Sequence, residues 1–239
     1  MIRIENTEIF GWKTAIQEMR IAINSQEKSD SCKCQLITDE CNNKHCKCCG
    51  WASYDLGNNP FCLGQNDLQL MKKLINDGPE RIQFMEMIIV TCSITAPGYW
   101  WQEFDSYKIS RNGHNTTHKI HEKAFELDDF SYENLVGEGI IPDHVDENPY
   151  DTLCNMINTL NFCRETYKDT KDKKWWWQMI QLLPSSYNQH SEVLLNYQTL
   201  RIMYHSRKNH NLDEWCNFCD WIETLPYSEL IIGGIKNDD

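Results

Sequence analysis

The chain has 239 residues and a formal charge of −12, and 41% of its residues are hydrophobic. That apolar content lets a chain of this length bury a core of its own, and it excludes a disordered polyelectrolyte. The acidic balance argues against binding a nucleic-acid backbone, which takes a basic footprint, but leaves room for a small anionic ligand in a local basic pocket.

No window approaches the run of about 20 apolar residues that spans a bilayer. The opening MIRIENTEIFGW lacks the apolar segment of a secretory signal. The expectation is a soluble, cytoplasmic protein with no membrane partner, folded as a single domain over 1–239. Ile2, Ile4 and Ile9 alternate with polar residues and predict a short strand over Met1–Phe10. Trp12, Ala15, Ile16, Met19 and Ile23 then form a helical stripe. Arg20 lies beside that stripe, and its expected role is a surface salt bridge, with a ligand phosphate as the alternative.

Residues 24–60 are polar and Asn-rich, with almost no apolar periodicity. A stretch this long inside a compact domain calls for its own function or its own staple. Twelve cysteines are present, and half of them crowd into this region. Cys32, Cys34, Cys41, His45, Cys46, Cys48 and Cys49 offer soft or borderline ligands, enough for a Zn²⁺ site within an insertion over 26–62. The spacing is not the paired C-x₂-C of a zinc ribbon, so a metal-stapled subdomain and a mobile reduced loop stand as alternatives. The scattered Cys62, Cys92, Cys154, Cys163, Cys216 and Cys219 read as buried free thiols, and no disulfide framework is expected.

Asn66–Asn76 predicts a helix capped by Asn66 or Asp67, with Leu68, Met71, Leu74 and Ile75 as its stripe and Gly78-Pro79 as its stop. MEMIIVTCSIT, within Arg81–Thr95, is the best strand, broken by Ala96-Pro97-Gly98. Tyr99–Lys108 returns to helical spacing with Tyr99, Trp100, Phe104 and Tyr107 on one face. Such a face stacks on a base or a flavin ring, or more commonly packs a core or a subunit contact. His114, His118 and His121 have helical spacing, but the Asn112-Gly113 turn makes them a weak metal candidate. Lys123–Tyr150 is acidic and loop-like. Helices follow over Asp151–Thr170 and from Trp175 to Pro184.

From Leu183 to Trp215, residues Val193, Leu194, Tyr197, Leu200, Met203 and Tyr204 read as one long helix. Gln198, Arg201, His205, Arg207, Lys208 and His210 gather in its second half. A helix with one buried face and a cationic end suits a nucleotide phosphate. An ordinary core helix with a solvated basic end is the plainer reading. Phe218, Trp221, Ile222 and Leu225 predict a last helix before Pro226.

Taken in order, LMKKLINDG, MIIVTCSITAP, YWWQEFDSYK, Leu183-Pro184 and NYQTLRIMYHSRKNHNLDEW resemble the flavin-dependent thymidylate synthases over most of Asn66–Trp221. The cysteine-rich segment lies outside the resemblance. It implies an α/β (α+β) fold with a central sheet flanked by helices, FAD as cofactor, a dUMP-like pyrimidine nucleotide as ligand, and a homotetramer. The family's Arg-His-Arg falls on Ser106-Tyr107-Lys108, and of its cations only Lys108 remains. Later motif positions fall on Arg111, Gly113-His114, Thr116 and His118-Lys119. In the final helix Gln198 replaces one arginine, while Arg207 and Trp215 match the pattern. The resemblance therefore assigns Tyr107, Lys108, Arg111 and Thr116 to the cofactor, and His118, Lys119, Gln198 and Arg207 to the substrate.

A Lys keeps the charge of an Arg on phosphate but loses the planar two-donor grip, and Tyr107 in place of His loses a group titrating near neutrality. Gln198 and Arg207 lie on opposite faces of any single straight helix, so they serve one pocket only if the helix ends between them. Three functions stay open: an enzyme of this flavin type acting in methyl or one-carbon transfer, a catalytically inactive nucleotide-binding or regulatory protein on the same fold, and a zinc-stapled interaction protein.

Overall fold

The computed structural model describes residues 2–33, 61–107, 110–113, 119–137 and 147–233. Strand β1 (Arg3–Phe10) turns at Gly11 into α1 (Trp12–Ala22). Gly11 has φ 92°, and a Cβ there would lie 1.8 Å from the Met87 carbonyl oxygen, so this corner takes only glycine. A two-residue ladder, β2 (Cys32–Lys33) with β3 (Phe61–Cys62), precedes α2 (Gln65–Asp77). Next come β4 (Ile89–Pro97), α3 (Gly98–Phe104) and β5 (Ser110–Gly113). The rest is α4 (Pro149–Thr170), α5 (Lys173–Leu182), β6 (Asn188–Asn196), α6 (Tyr197–Arg207), α7 (Asp213–Thr224) and α8 (Glu229–Ile232).

One sheet has the order β1-β4-β6-β5 and the other is the β2-β3 pair. Ile88 accepts from the Tyr197 amide, Ser93 bonds Glu192, Thr95 bonds His190, and the Gly98 amide donates to Tyr187. Rising numbers on β4 meet falling numbers on β6, so the two strands run antiparallel. The mixed helix-and-sheet fold expected from the sequence is the one observed.

The chain divides into two compact units, and β4 and β6 run through both. The unit of Met1–Arg3, Ile94–Lys108 and Asn112–Ser191 buries Leu153, Ile157, Leu160 and Cys163 of α4 and Met179 of α5, with Phe125 and Phe130. Asn148 caps α4 by accepting from the Asp151 amide at 2.7 Å, with Pro149 preset at the first helical position. Asn161 holds both backbone groups of Phe125, at 2.9 and 2.8 Å, and so fixes that segment along α4.

The unit of Ile4–Ser93, Ile109–Arg111 and Glu192–Asp239 carries α1, α2, α6, α7 and α8. Tyr197 is fully buried, meets the Trp12 ring edge-on at 5.2 Å and donates its hydroxyl to the Pro226 carbonyl at 2.5 Å. That bond lets a phenol sit in a core without an orphaned O–H.

Three local expectations are corrected. Residues 188–196 form strand β6, not the start of a long helix: Ser191, Val193 and Leu195 are buried while Glu192 and Leu194 are exposed, a period of two. Asn196 then starts α6 by accepting from the Thr199 amide at 2.8 Å. The Met85–Met87 stretch belongs to a 3-10 turn, and the strand begins at Ile89. Neither Asn66 nor Asp67 caps α2 with its own side chain; Asp30 does so from the preceding segment, accepting from the Asn66 and Asp67 amides at 2.9 and 3.1 Å. The short α8 had no expected counterpart.

Candidate functional site

The best-defined cationic corner lies where α6 gives way to α7. The helix ends at Arg207, a turn over 208–212 reverses the chain, and α7 brings Trp215, fully buried, beneath the Arg207 side chain. The guanidinium lies 4.7 Å from the Trp215 ring centroid, a cation–π stack that holds its plane. Arg207 Nη1 is 2.9 Å from His210 Nε2. The other ring nitrogen, Nδ1, accepts from the Leu212 amide at 3.2 Å. A neutral imidazole accepts at one ring nitrogen only. A guanidinium only donates, so the 2.9 Å bond is made with Nε2 accepting, and the tautomer of the ring decides between that bond and the one from the Leu212 amide.

The neighbouring cations make their own contacts. Lys208 Nζ bonds the Tyr204 hydroxyl and lies 3.3 Å from Glu223, and the Tyr204 hydroxyl donates to Glu223 at 2.5 Å. Arg201, 7% exposed, donates from Nη1 to the carbonyls of Leu230, Ile231 and Gly233, the orphan acceptors at the end of α8. His205 Nε2 adds a bond to Ile231 at 3.1 Å. Burial, then the Arg201 charge, hold the His205 imidazole below its ordinary pKa, so it donates there as the neutral ring.

Gln198 and Arg207 lie on the single helix α6, which does not end between them, so they project from opposite faces. Gln198 Oε1 is buried and has no hydrogen-bond partner among the described residues. Tyr107 is half-buried at the end of the 3-10 turn after α3. Ser106 donates its hydroxyl to the Glu103 carbonyl at 2.6 Å and brings no charge to that turn. The aromatic face of α3 is Trp100, Trp101 and Phe104, buried in mutual contact at 4.8–5.2 Å, so it packs a core. Arg111 is half-buried on β5. Lys119 is 77% exposed beside Glu122 at 3.8 Å.

Lys108, Thr116 and His118, like His114, lie outside the described residues, as do Cys34, Cys41, His45, Cys46, Cys48 and Cys49. Cys32 is placed by its backbone in β2. Among the described residues no group of three or more His, Cys, Asp or Glu could hold a metal. His121 rests against the Tyr167 ring at 5.0 Å.

Sequence reasoning missed a buried polar cluster. Arg20 is no surface residue: its Nε donates to Asp67 Oδ1 at 2.7 Å, with the two side chains 7% and 0% exposed. Asp67 Oδ2 accepts from the hydroxyls of Ser29 and Ser31, at 2.7 and 2.6 Å, and from the Ser31 amide at 3.1 Å. Burial works to raise the Asp67 carboxyl, but hydrogen bonds from Ser31, Ser29 and Arg20 outweigh it, and its pKa lies below the ordinary value. An open depression of about 590 Å³ beside the pair is lined by Arg20, Lys28, Glu27 and Asp30, a mixed-charge surface. The only sequence signal was an acid three residues after a glycine, which reads as a cap.

The elements and their order define the fold of the flavin-dependent thymidylate synthases. Two structures of flavin-dependent thymidylate synthase ThyX from Helicobacter pylori, both with FAD and dUMP, match this chain with TM-score 0.62 at 16% identity. The matches cover 96% and 97% of this chain and 98% of theirs. No protein-family model matches the sequence, and no curated protein does. Among the described residues no helix is long and apolar enough to cross a membrane.

Proposed function

We propose that this protein binds the phosphate of a pyrimidine deoxynucleotide of the dUMP kind, with Arg207 as the principal anion contact. The observation that carries this reading is the α6–α7 corner, where the Arg207 guanidinium is stacked on Trp215 and lies 2.9 Å from the His210 ring. Its support from outside the chain is the near full-length likeness to structures holding FAD and dUMP. Trp215 fixes the plane of Arg207, so a phosphate meets a preoriented donor pair instead of ordering a flexible side chain. His210 braces the guanidinium from its own side of the corner.

The test is calorimetric titration with dUMP and dTMP. Replacing Arg207 by Ala removes a charge-assisted bond of about 1.5–3 kcal/mol, so affinity should fall by roughly 10- to 150-fold. Equal affinity in the variant would remove Arg207 from the reading.

A second reading is favoured by the FAD in both matched structures: flavin-dependent methyl or one-carbon transfer to that nucleotide. The homotetramer that the sequence resemblance implies belongs to this reading. Bound FAD would supply the redox chemistry. This chain fits the flavin poorly at the one described position of the family's first cation, because Ser106 is uncharged and its hydroxyl serves Glu103. A flavin absorbance band in the purified protein and a tetramer mass by light scattering support this second reading. A colourless protein that still binds dUMP leaves the nucleotide-binding reading standing alone.

A further inference from the structure

The base of the cysteine-rich insertion is fixed by backbone pairing that the functional reading does not use. In the β2–β3 ladder Cys32 is the register partner of Cys62, and Lys33 of Phe61. Directly opposed residues of an antiparallel pair have Cα atoms about 4.5–5.5 Å apart. A disulfide spans Cα separations of about 4.4–6.8 Å. The ladder thus sets the two backbone positions, separated in sequence by the insertion, within the Cα span that a disulfide bridges.

The ladder is pinned from below by groups that do not belong to it. Ser31, just before Cys32, accepts at its Oγ from the Gly64 amide at 2.8 Å and donates to the fully buried Asp67 at 2.6 Å. Gly64, two residues past Cys62, lies so near Asp30 that a Cβ would fall 2.1 Å from Oδ1. Asp30 in turn holds the first amides of α2. The register at the neck is set by this cluster, whatever residues 34–60 do.

We propose that Cys32 and Cys62 form a redox modification site, a dithiol that closes to a disulfide by exchange with a small-molecule disulfide. One of the two thiolates attacks a sulfur of the small disulfide, forming a mixed disulfide and releasing one small thiolate. The other then attacks the protein sulfur of that mixed bond and releases the second small thiolate. The protein loses two electrons and the two thiol protons, and the small disulfide gains them as two thiols. The product encloses residues 33–61 in a covalent loop anchored on the Asp67 cluster. Cys92 and Cys219 are poor competitors, because burial pushes their thiols up to about 12 and leaves almost no thiolate near neutrality.

The experiment treats the full-length protein with oxidised glutathione, quenches with an alkylating agent and maps peptides by mass spectrometry without reduction. The expected result is a Cys32–Cys62 cross-linked peptide, lighter than the reduced pair by the two thiol hydrogens. Cys32→Ser and Cys62→Ser should each lose that peptide and instead carry one trapped glutathione on the remaining partner. Cys34→Ser should keep the cross-link. The proposal is overturned if Cys62 is recovered alkylated while other cysteines pair, or if Cys34→Ser abolishes the cross-link. It is equally overturned if the native protein holds stoichiometric zinc that Cys32→Ser and Cys62→Ser release.

Discussion

Replacing Asp67 by Ala should destabilise the unit that carries it more than any surface change, because it strands a charge. Arg20 would stay buried at 7% side-chain exposure with its carboxylate gone, and the Ser29 hydroxyl and both Ser31 donors would lose their acceptor. Removing one partner of a buried pair costs about 3–5 kcal/mol, mainly because the other charge is left uncompensated. Urea unfolding at pH 7, followed by both far-UV circular dichroism and tryptophan fluorescence, reads the loss; two probes are needed because the chain has two compact units. With a denaturant slope near 3 kcal/mol/M, the midpoint should fall by about 1–1.7 M. A double variant, Arg20→Met with Asp67→Leu, removes the stranded charge and should recover much of the deficit. The pH dependence supplies a second check. The Asp67 pKa is lower folded than unfolded, so its contribution is full above the unfolded value of about 4 and is lost as pH falls through the folded one. The gap between wild type and Asp67→Ala should therefore shrink in acid. A deficit under about 1 kcal/mol at pH 7, or a gap that widens in acid, would refute the reasoning.

Asn196→Ala removes the cap that starts α6 after β6 and should cost about 1 kcal/mol in the same urea assay. Gly11→Ala forces a Cβ against the Met87 carbonyl at a positive φ, and should cost about 3 kcal/mol or more, read as a lowered melting temperature. Cys92 and Cys219, whose thiols burial pushes up to about 12, should stay unreactive toward a chromogenic disulfide at pH 8 until the protein is denatured.

How much of this was legible in the sequence depended on whether the signal was local. The stripes of α1, α2, α4 and α7 are local, and each emerged within a few residues of its observed bounds. The β6–α6 junction misled because Val193, Leu194, Tyr197 and Leu200 satisfy a helical template as well as the true alternation does. The deciding residue is Asn196, whose cap ends one period and begins the other. At the candidate site, Arg207 and Trp215 were visible as a spacing. The role of His210 was not, since its ring is set by the Leu212 amide and by Arg207 together. The Arg20–Asp67 pair was invisible for the same reason: its partners are 47 residues apart, and each taken alone resembles a surface group.

The two arginines of α6 show why charge type alone does not locate a binding site. Arg201 sits on the same buried face as Tyr197, Leu200 and Tyr204, and its donors meet backbone carbonyls that have no helical partner of their own. Its charge is engaged in completing the end of α8, so replacing it would unfold that end before it altered any ligand. Arg207 lies past the last buried turn, where the helix stops and the chain reverses. There the protein offers the Trp215 face to orient the guanidinium, with the His210 ring beside it at 2.9 Å. A buried arginine surrounded by carbonyls is a structural tie, whereas a half-buried one stacked on a ring has its plane fixed near the surface. The distinction comes from burial and from what each guanidinium packs against, and it makes Arg207, not Arg201, the residue to substitute in the dUMP titration.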